Sequence, residues 1–166
     1  GSEMCIRDRI MKDAAFSPIK DPVISMGGLI GGEARKLCEF HDLGKSLCGN
    51  VLGKGITYAM ATLETNASMG LIVASPTAGS AGIVPGMMLA LQEVYGFSDK
   101  KIRQALFNAG AIGYLAMRNA TVAGAVGGCQ AEVGIASAMA ASAAVELLGG
   151  TPLQCTYAAS TVLMNM

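Results

Sequence analysis

The sequence predicts an all-α fold, a helical bundle built around a central Ala/Gly/Ser-rich helix. Its hydrophobic fraction of 52% against 14% charged residues implies a packed core and excludes disorder. Apolar residues recur at helical spacing, and the alternation expected of strands is scarce. From Glu132 to Leu148 the chain is alanine-rich with small residues on most sides (Ala136, Ser137, Ala140, Ala141, Ala144). Such a helix admits neighbours closely all round, which places it at the centre. With neither an internal repeat nor a linker, 10–166 is expected to be a single helical domain, C-terminally truncated.

The elements follow in order. Gly1 to Arg9 (GSEMCIRDR) is charged and aperiodic and reads as adapter or tag sequence, so it is given no fold role. Gly31-Gly32 opens a short amphipathic helix over Glu33–Leu43, with Leu37 and Phe40 opposite Glu33, Arg35, Lys36 and Glu39. A second helix over Leu47–Leu63 carries Leu52, Ile56, Ala59, Met60 and Leu63 on one face. Leu71-Ile72-Val73-Ala74 is compatible with a short strand and with a buried helix end. Pro85 sits in the first turn of a helix whose apolar face is Met87, Met88, Leu91 and Val94, ending at Gly96. Ser98 caps the next, which runs through Ile102, Leu106 and Ala109 toward Tyr114, with Gly110 and Gly113 as places to bend. Gly149-Gly150 closes the central helix, and Thr151-Pro152 caps and opens the last. Met164-Asn165-Met166 carries no stop signal, so a longer natural chain is expected.

Composition removes several classes of function. Twelve basic residues balance twelve acidic ones, and only 5% are aromatic, which leaves no footprint for nucleic acid or an anionic membrane. The uncharged stretch from Thr65 to Gln92 is broken by Asn66, Pro76, Gly79, Gly82 and Pro85, so no membrane span is expected. Five cysteines, an odd number without close pairs, predict a reducing, cytoplasmic setting and exclude zinc-finger and C-x-x-C chemistry.

Two segments carry chemistry. In Gly127-Gly128-Cys129-Gln130-Ala131-Glu132-Val133-Gly134, glycine leaves the backbone open beside a thiol, an amide and a carboxylate. A helix beginning just after Cys129 would offer a thiolate its N–H groups. The bland reading of Cys129 alone is a small buried residue at a tight turn. Ser75-Pro76-Thr77-Ala78-Gly79-Ser80-Ala81-Gly82 joins hydroxyls and glycines ahead of a helix N-terminus, an arrangement suited to a carboxylate and equally to an ordinary small-residue turn. Gly44-Lys45-Ser46 lacks the earlier glycine of a P-loop, since that position is Glu39. His41 is read as solvent-facing, and Met87, Met88, Met117 and Met139 as core filling.

Ser75–Gly86 (SPTAGSAGIVPG) with Asn119–Ala140 (NATVAGAVGGCQAEVGIASAMA) closely resembles the α chain of bacterial iron–sulfur-dependent L-serine dehydratase. Gly28–Asn66, Thr65–Gly70 and Gly149–Pro152 are similar too, so the resemblance covers nearly everything after the first nine residues. It implies a 4Fe–4S cluster held by three cysteines, with no pyridoxal phosphate. Cys129 matches the first ligand; the other two, in C-D-P-V and V-P-C contexts, are expected beyond Met166. Cys155, inside a helix and without that context, is no substitute.

The resemblance further implies L-serine ammonia-lyase activity, with an open iron acting as Lewis acid on the serine hydroxyl, in amino-acid degradation and gluconeogenesis. Thr77, Gly79 and Ser80 are assigned to the substrate carboxylate, and Lys45, Asn66, Asn119 and Glu132 to polar support. A β chain or domain and an oligomeric assembly are the implied partners, and this fragment alone is expected to be inactive. The alternatives are a related cysteine-desulfhydrating lyase and a non-catalytic helical subunit-binding module.

Overall fold

The computed structural model describes residues 2–166; Gly1, the first residue of the adapter-like stretch, lies outside them. Seven helices follow in order: α1 (Ser2–Lys20), α2 (Glu33–Asp42), α3 (Gly49–Ala67), α4 (Ile83–Tyr95), α5 (Asp99–Asn119), α6 (Gly124–Leu147) and α7 (Pro152–Asn165). No strand occurs among the described residues, so the all-α expectation holds. The alanine-rich helix is central as expected, with α6 packed against α4, α5 and α7. A second group forms around α3, which packs on α1, α2 and α4. Helix α4 therefore joins the two groups, and most of its surface is buried. Val84, Met88 and Leu91 of α4 meet Ile102 and Leu106 of α5 and Ile135, Met139 and Leu147 of α6 in the main core.

Local sequence fixes the helix ends. The Ser98 side chain accepts a hydrogen bond from the Lys101 N–H, and Thr151 with Gln154 forms a complete capping box around Pro152. Gly96 ends α4 in the left-handed region at φ 69°, where glycine carries no penalty. Helix α2 begins at Gly32, which has no side chain to cap it. The cap is supplied in trans: Oε1 of Glu64, 1% exposed, accepts the Ala34 N–H at 2.8 Å. The Glu33 carboxylate accepts from its own N–H and that of Gly31, which hold its carboxyl below the usual range.

The structure differs from the sequence reading in four places. Helix α1, given no assignment, buries Met11, Ala14, Ala15 and Pro18 at helical spacing. Within its adapter-like first part, Asp8 is buried beside Arg103 and Lys12. Leu71–Ala74 is neither strand nor helix. Helix α5 continues unbroken past Gly110 and Gly113 to Asn119. The largest difference is in α3, whose apolar stripe faces outward: Leu52, Ile56 and Leu63 are exposed, while Gly53, Thr57, Tyr58, Ala61, Thr62 and Glu64 are buried.

Close helix approach explains that inversion. A Cβ on Gly86 would lie 2.7 Å from the Gly55 carbonyl oxygen, and one on Gly82 would lie 2.6 Å from that of Ala59. Only small residues let α3 and α4 come so near, so the small face turns inward. Thr57 and Thr62 satisfy their hydroxyls on the carbonyls of Gly53 and Tyr58 in their own helix. On the flank of this contact, burial and the neighbouring Glu93 carboxylate push the Tyr58 hydroxyl's pKa well up. Burial alone would raise Glu93, but hydrogen bonds from Lys54 and Tyr58 outweigh it and hold that carboxyl below its ordinary value.

Gly110 is the opposite case, since a Cβ there meets nothing within 4 Å. Gly110→Ala is expected to stabilise the protein by about 0.5–1 kcal/mol, because alanine loses less backbone entropy in a helix. A denaturant midpoint unchanged or lowered at constant slope would contradict this.

Candidate functional site

The loop before α4 and the first turns of α6 form one polar cradle. Three backbone contacts shape the loop: Ser75 N–H to Thr77 O, Ala81 N–H to Ala78 O, and Ile83 N–H to Ser80 O, at 3.3, 3.3 and 3.2 Å. Across this turn reaches Glu132 of α6. The Thr77 hydroxyl donates to Glu132 Oε2 at 2.6 Å, and the Ser80 hydroxyl stands 3.1 Å from Thr77 Oγ1. Glycine makes the room, for a Cβ on Gly79 would lie 2.6 Å from Glu132 Oε1 and one on Gly124 would lie 3.1 Å from its Cδ. Asn66, in the last turn of α3, donates to the Ala78 carbonyl at 3.0 Å and ties the loop from the other side.

Of the residues predicted for the site, the structure thus brings together Thr77, Gly79, Ser80, Glu132 and Asn66. Lys45 is exposed between α2 and α3, its backbone N–H bonded to Phe40. Asn119 is exposed at the end of α5 and bonds back to the Leu115 carbonyl; neither side chain joins the cradle's hydrogen bonds among the described residues. Gly124 was not singled out by the sequence, since nothing local pairs it with Gly79. Ser75 Oγ, buried without a partner, was also missed. His41 is half-buried instead of solvent-facing: Nε2 lies 3.0 Å from Asn50 Oδ1, and Nδ1 is buried against Gly53 without a partner.

Cys129 begins the long part of α6. Gly128 breaks the helix at φ 76°, ψ 169°, and regular geometry resumes with Cys129, so the expected helix start beside the thiol is present. The thiol is exposed, which does not suit the buried-packing reading. Cys129 and Glu132 stand three apart and share a helix face. The Gln130 amide donates to the Met166 carbonyl, bringing the end of α7 beside this turn. Among the described residues no three Cys, His, Asp or Glu side chains converge as a metal site.

A cavity of about 290 Å³ opens beside the cradle. Ile56, Met60 and Leu63 of α3 form one wall, and Gly79, Ser80 and Ile83 another. Part of the outward stripe of α3 is thus one wall of a largely apolar pocket whose other wall is the Ala78–Ile83 end of the turn. No helix among the described residues is long and apolar enough to cross a membrane.

Comparison with known proteins shows the family. The family model described as serine dehydratase alpha chain matches residues 2–166. The chain is 47% identical over 154 residues to a probable L-serine dehydratase, alpha chain, of Bacillus subtilis (strain 168), covering 93% of this chain and 51% of that protein. It is 49% identical over 157 residues to the L-serine dehydratase, alpha chain, of Peptoniphilus asaccharolyticus, covering 95% and 54%. It is 40% identical over 107 residues to the L-serine dehydratase TdcG of Escherichia coli (strain K12), covering 64% and 24%. The chain spans about half the length of the first two of these relatives. A match of this extent, over both the Ser75–Gly82 turn and the Cys129–Glu132 turn, shows that the chain belongs to the serine dehydratase alpha chain family.

Proposed function

We propose that this chain forms the Thr77–Glu132 half of the active site of an L-serine ammonia-lyase. The observation that carries the reading is the bond from Thr77 to Glu132, three residues after an accessible Cys129, made by a turn whose Gly79 and Ser80 also line a small pocket. The reaction removes the Cα proton and the β-hydroxyl of serine as water. The aminoacrylate left behind tautomerises to an imine, which hydrolyses to pyruvate and ammonia without pyridoxal phosphate.

Cys129 is the one ligand this chain offers to a 4Fe–4S cluster, which when bound supplies a Lewis-acid iron for the serine hydroxyl. The relatives are about twice as long, and two further cysteine ligands are proposed to lie in the length this chain does not span. The rest of the work falls to polar side chains. Asn66 fixes the turn through Ala78 O, and Thr77, in contact with Ser80, anchors Glu132 beside the turn. The apolar wall from α3 lowers the water content around a three-carbon substrate. The working enzyme is proposed to be cytoplasmic and oligomeric, with a β chain or domain completing the site.

The test is pyruvate release from L-serine by the complete α chain with its β partner after anaerobic reconstitution, with L-cysteine as competing substrate. Turnover of L-serine is expected, and the 166-residue segment alone is expected to give neither stable cluster absorbance nor pyruvate. Preference for L-cysteine would assign the chain to a desulfhydrating lyase. No turnover of either substrate by an iron-loaded assembly would leave a non-catalytic subunit-binding role.

A further inference from the structure

We infer that Glu132, held in place by Thr77, receives the substrate's α-ammonium group, so that the Thr77–Ser80 turn is an amine site and not the carboxylate site its sequence suggests. The inference rests on the dehydratase reading and names which end of the amino acid the cradle holds.

Proton counting leads there. Thr77 has one hydroxyl hydrogen, and it is committed to Glu132 Oε2 at 2.6 Å. The 3.1 Å contact between Thr77 and Ser80 must then use the Ser80 hydrogen, in preference to the Ser75 carbonyl at 3.4 Å. Both hydroxyl protons run toward the carboxylate. What the two side chains and Glu132 still offer is acceptors: Oε1 of Glu132, with no hydrogen-bond partner among the described residues, and the remaining lone pairs of the hydroxyls. Neither hydroxyl has a hydrogen left for a substrate carboxylate, which the charge of Glu132 would also repel.

Charge accounting agrees. The ion pairs found among the described residues join Arg7, Lys12, Lys54 and Arg103 to Glu3, Asp8, Asp99 and Glu93, and none includes Glu132. The carboxylate is left with a hydroxyl partner and no cation. Gly79 keeps the space against Oε1 clear, where a methyl group would sit 2.6 Å away. A primary ammonium, compact and with three donors, matches a carboxylate oxygen and a hydroxyl lone pair side by side.

L-Alanine and L-lactate differ only in the group this site would read, and neither has a β-hydroxyl to lose. In the reconstituted complete enzyme, L-alanine is expected to compete with L-serine more tightly than L-lactate does. Glu132→Gln is expected to weaken L-alanine by about ten- to a hundredfold, the loss of a charge-assisted bond, and to change L-lactate less than twofold. Glu132→Asp, which keeps the charge, should preserve the preference for L-alanine even if both ligands weaken. Equal losses for the two ligands in Glu132→Gln, or an unchanged constant for L-alanine, would overturn the inference. Should that variant fail to fold, the unmodified enzyme still decides, because L-lactate binding as tightly as L-alanine is incompatible with an amine site. Failure of the dehydratase reading shows separately, as absence of pyruvate from L-serine. Calorimetry with the same two ligands then tests Glu132 without any turnover.

Discussion

Cys129→Ser in the complete α chain with its partner is expected to lower pyruvate formation from L-serine by about a thousandfold or more and to remove most of the iron. The magnitude follows from losing the proposed Lewis acid, which would contribute several kcal/mol at the leaving hydroxyl, about 1.4 kcal/mol per factor of ten. Fold damage is not the cause, because Cys129 is exposed at a helix start and serine is accepted there as well as cysteine. Helix content and unfolding midpoint should therefore remain near those of the parent. Cys155→Ser is the matching control: that thiol is buried in α7, so its loss should cost some stability and leave iron content intact. Normal iron and turnover in Cys129→Ser would remove the residue from the cofactor altogether.

How much of this was legible in the sequence depends on the range of each signal. Helices announced by caps and glycines were readable, because Ser98, Gly96, Thr151-Pro152 and Gly149-Gly150 act within one turn of the chain. The centrality of α6 was readable too, since small residues on every side have few other uses. The burial of α3 was not. Its Leu52, Ile56 and Leu63 make a regular apolar face, yet the face that packs is set by where Gly82 and Gly86 allow α4 to come close, a fact lying thirty residues away in sequence.

The site divides the same way. Resemblance assigned Thr77, Gly79 and Ser80 to the substrate carboxylate and Glu132 to polar support, but only the fold shows a carboxylate seated on the Thr77 hydroxyl. That contact is what the proposed amine site rests on, because a loop rich in hydroxyls reads as a donor set when its partners are not visible. Lys45 and Asn119 were drawn in by lying within similar segments, and neither side chain joins the cradle's hydrogen bonds among the described residues. Helix α1 was readable in principle from Met11, Ala14, Ala15 and Pro18, although three small or cyclic residues among the four make a faint stripe.

Gly79→Ala is the second substitution with a large expected effect, and it separates shape from chemistry. The loop is exposed at this position and the backbone there is not in the left-handed region, so the unfolding midpoint should move little. The new methyl would lie 2.6 Å from Glu132 Oε1, inside any acceptable contact, and must push the carboxylate away from Thr77 or the loop away from α6. A shift of about 1 Å in a positioned group is enough to lower kcat/KM by about a hundredfold. If Gly79 acts only by leaving room for that carboxylate, its loss and the loss of Glu132 disable the same contact. The double variant Gly79→Ala/Glu132→Gln should then be scarcely worse than Glu132→Gln alone, as coupled residues require. Fully additive losses would mean that Gly79 serves the substrate directly, through its backbone, with Glu132 acting elsewhere.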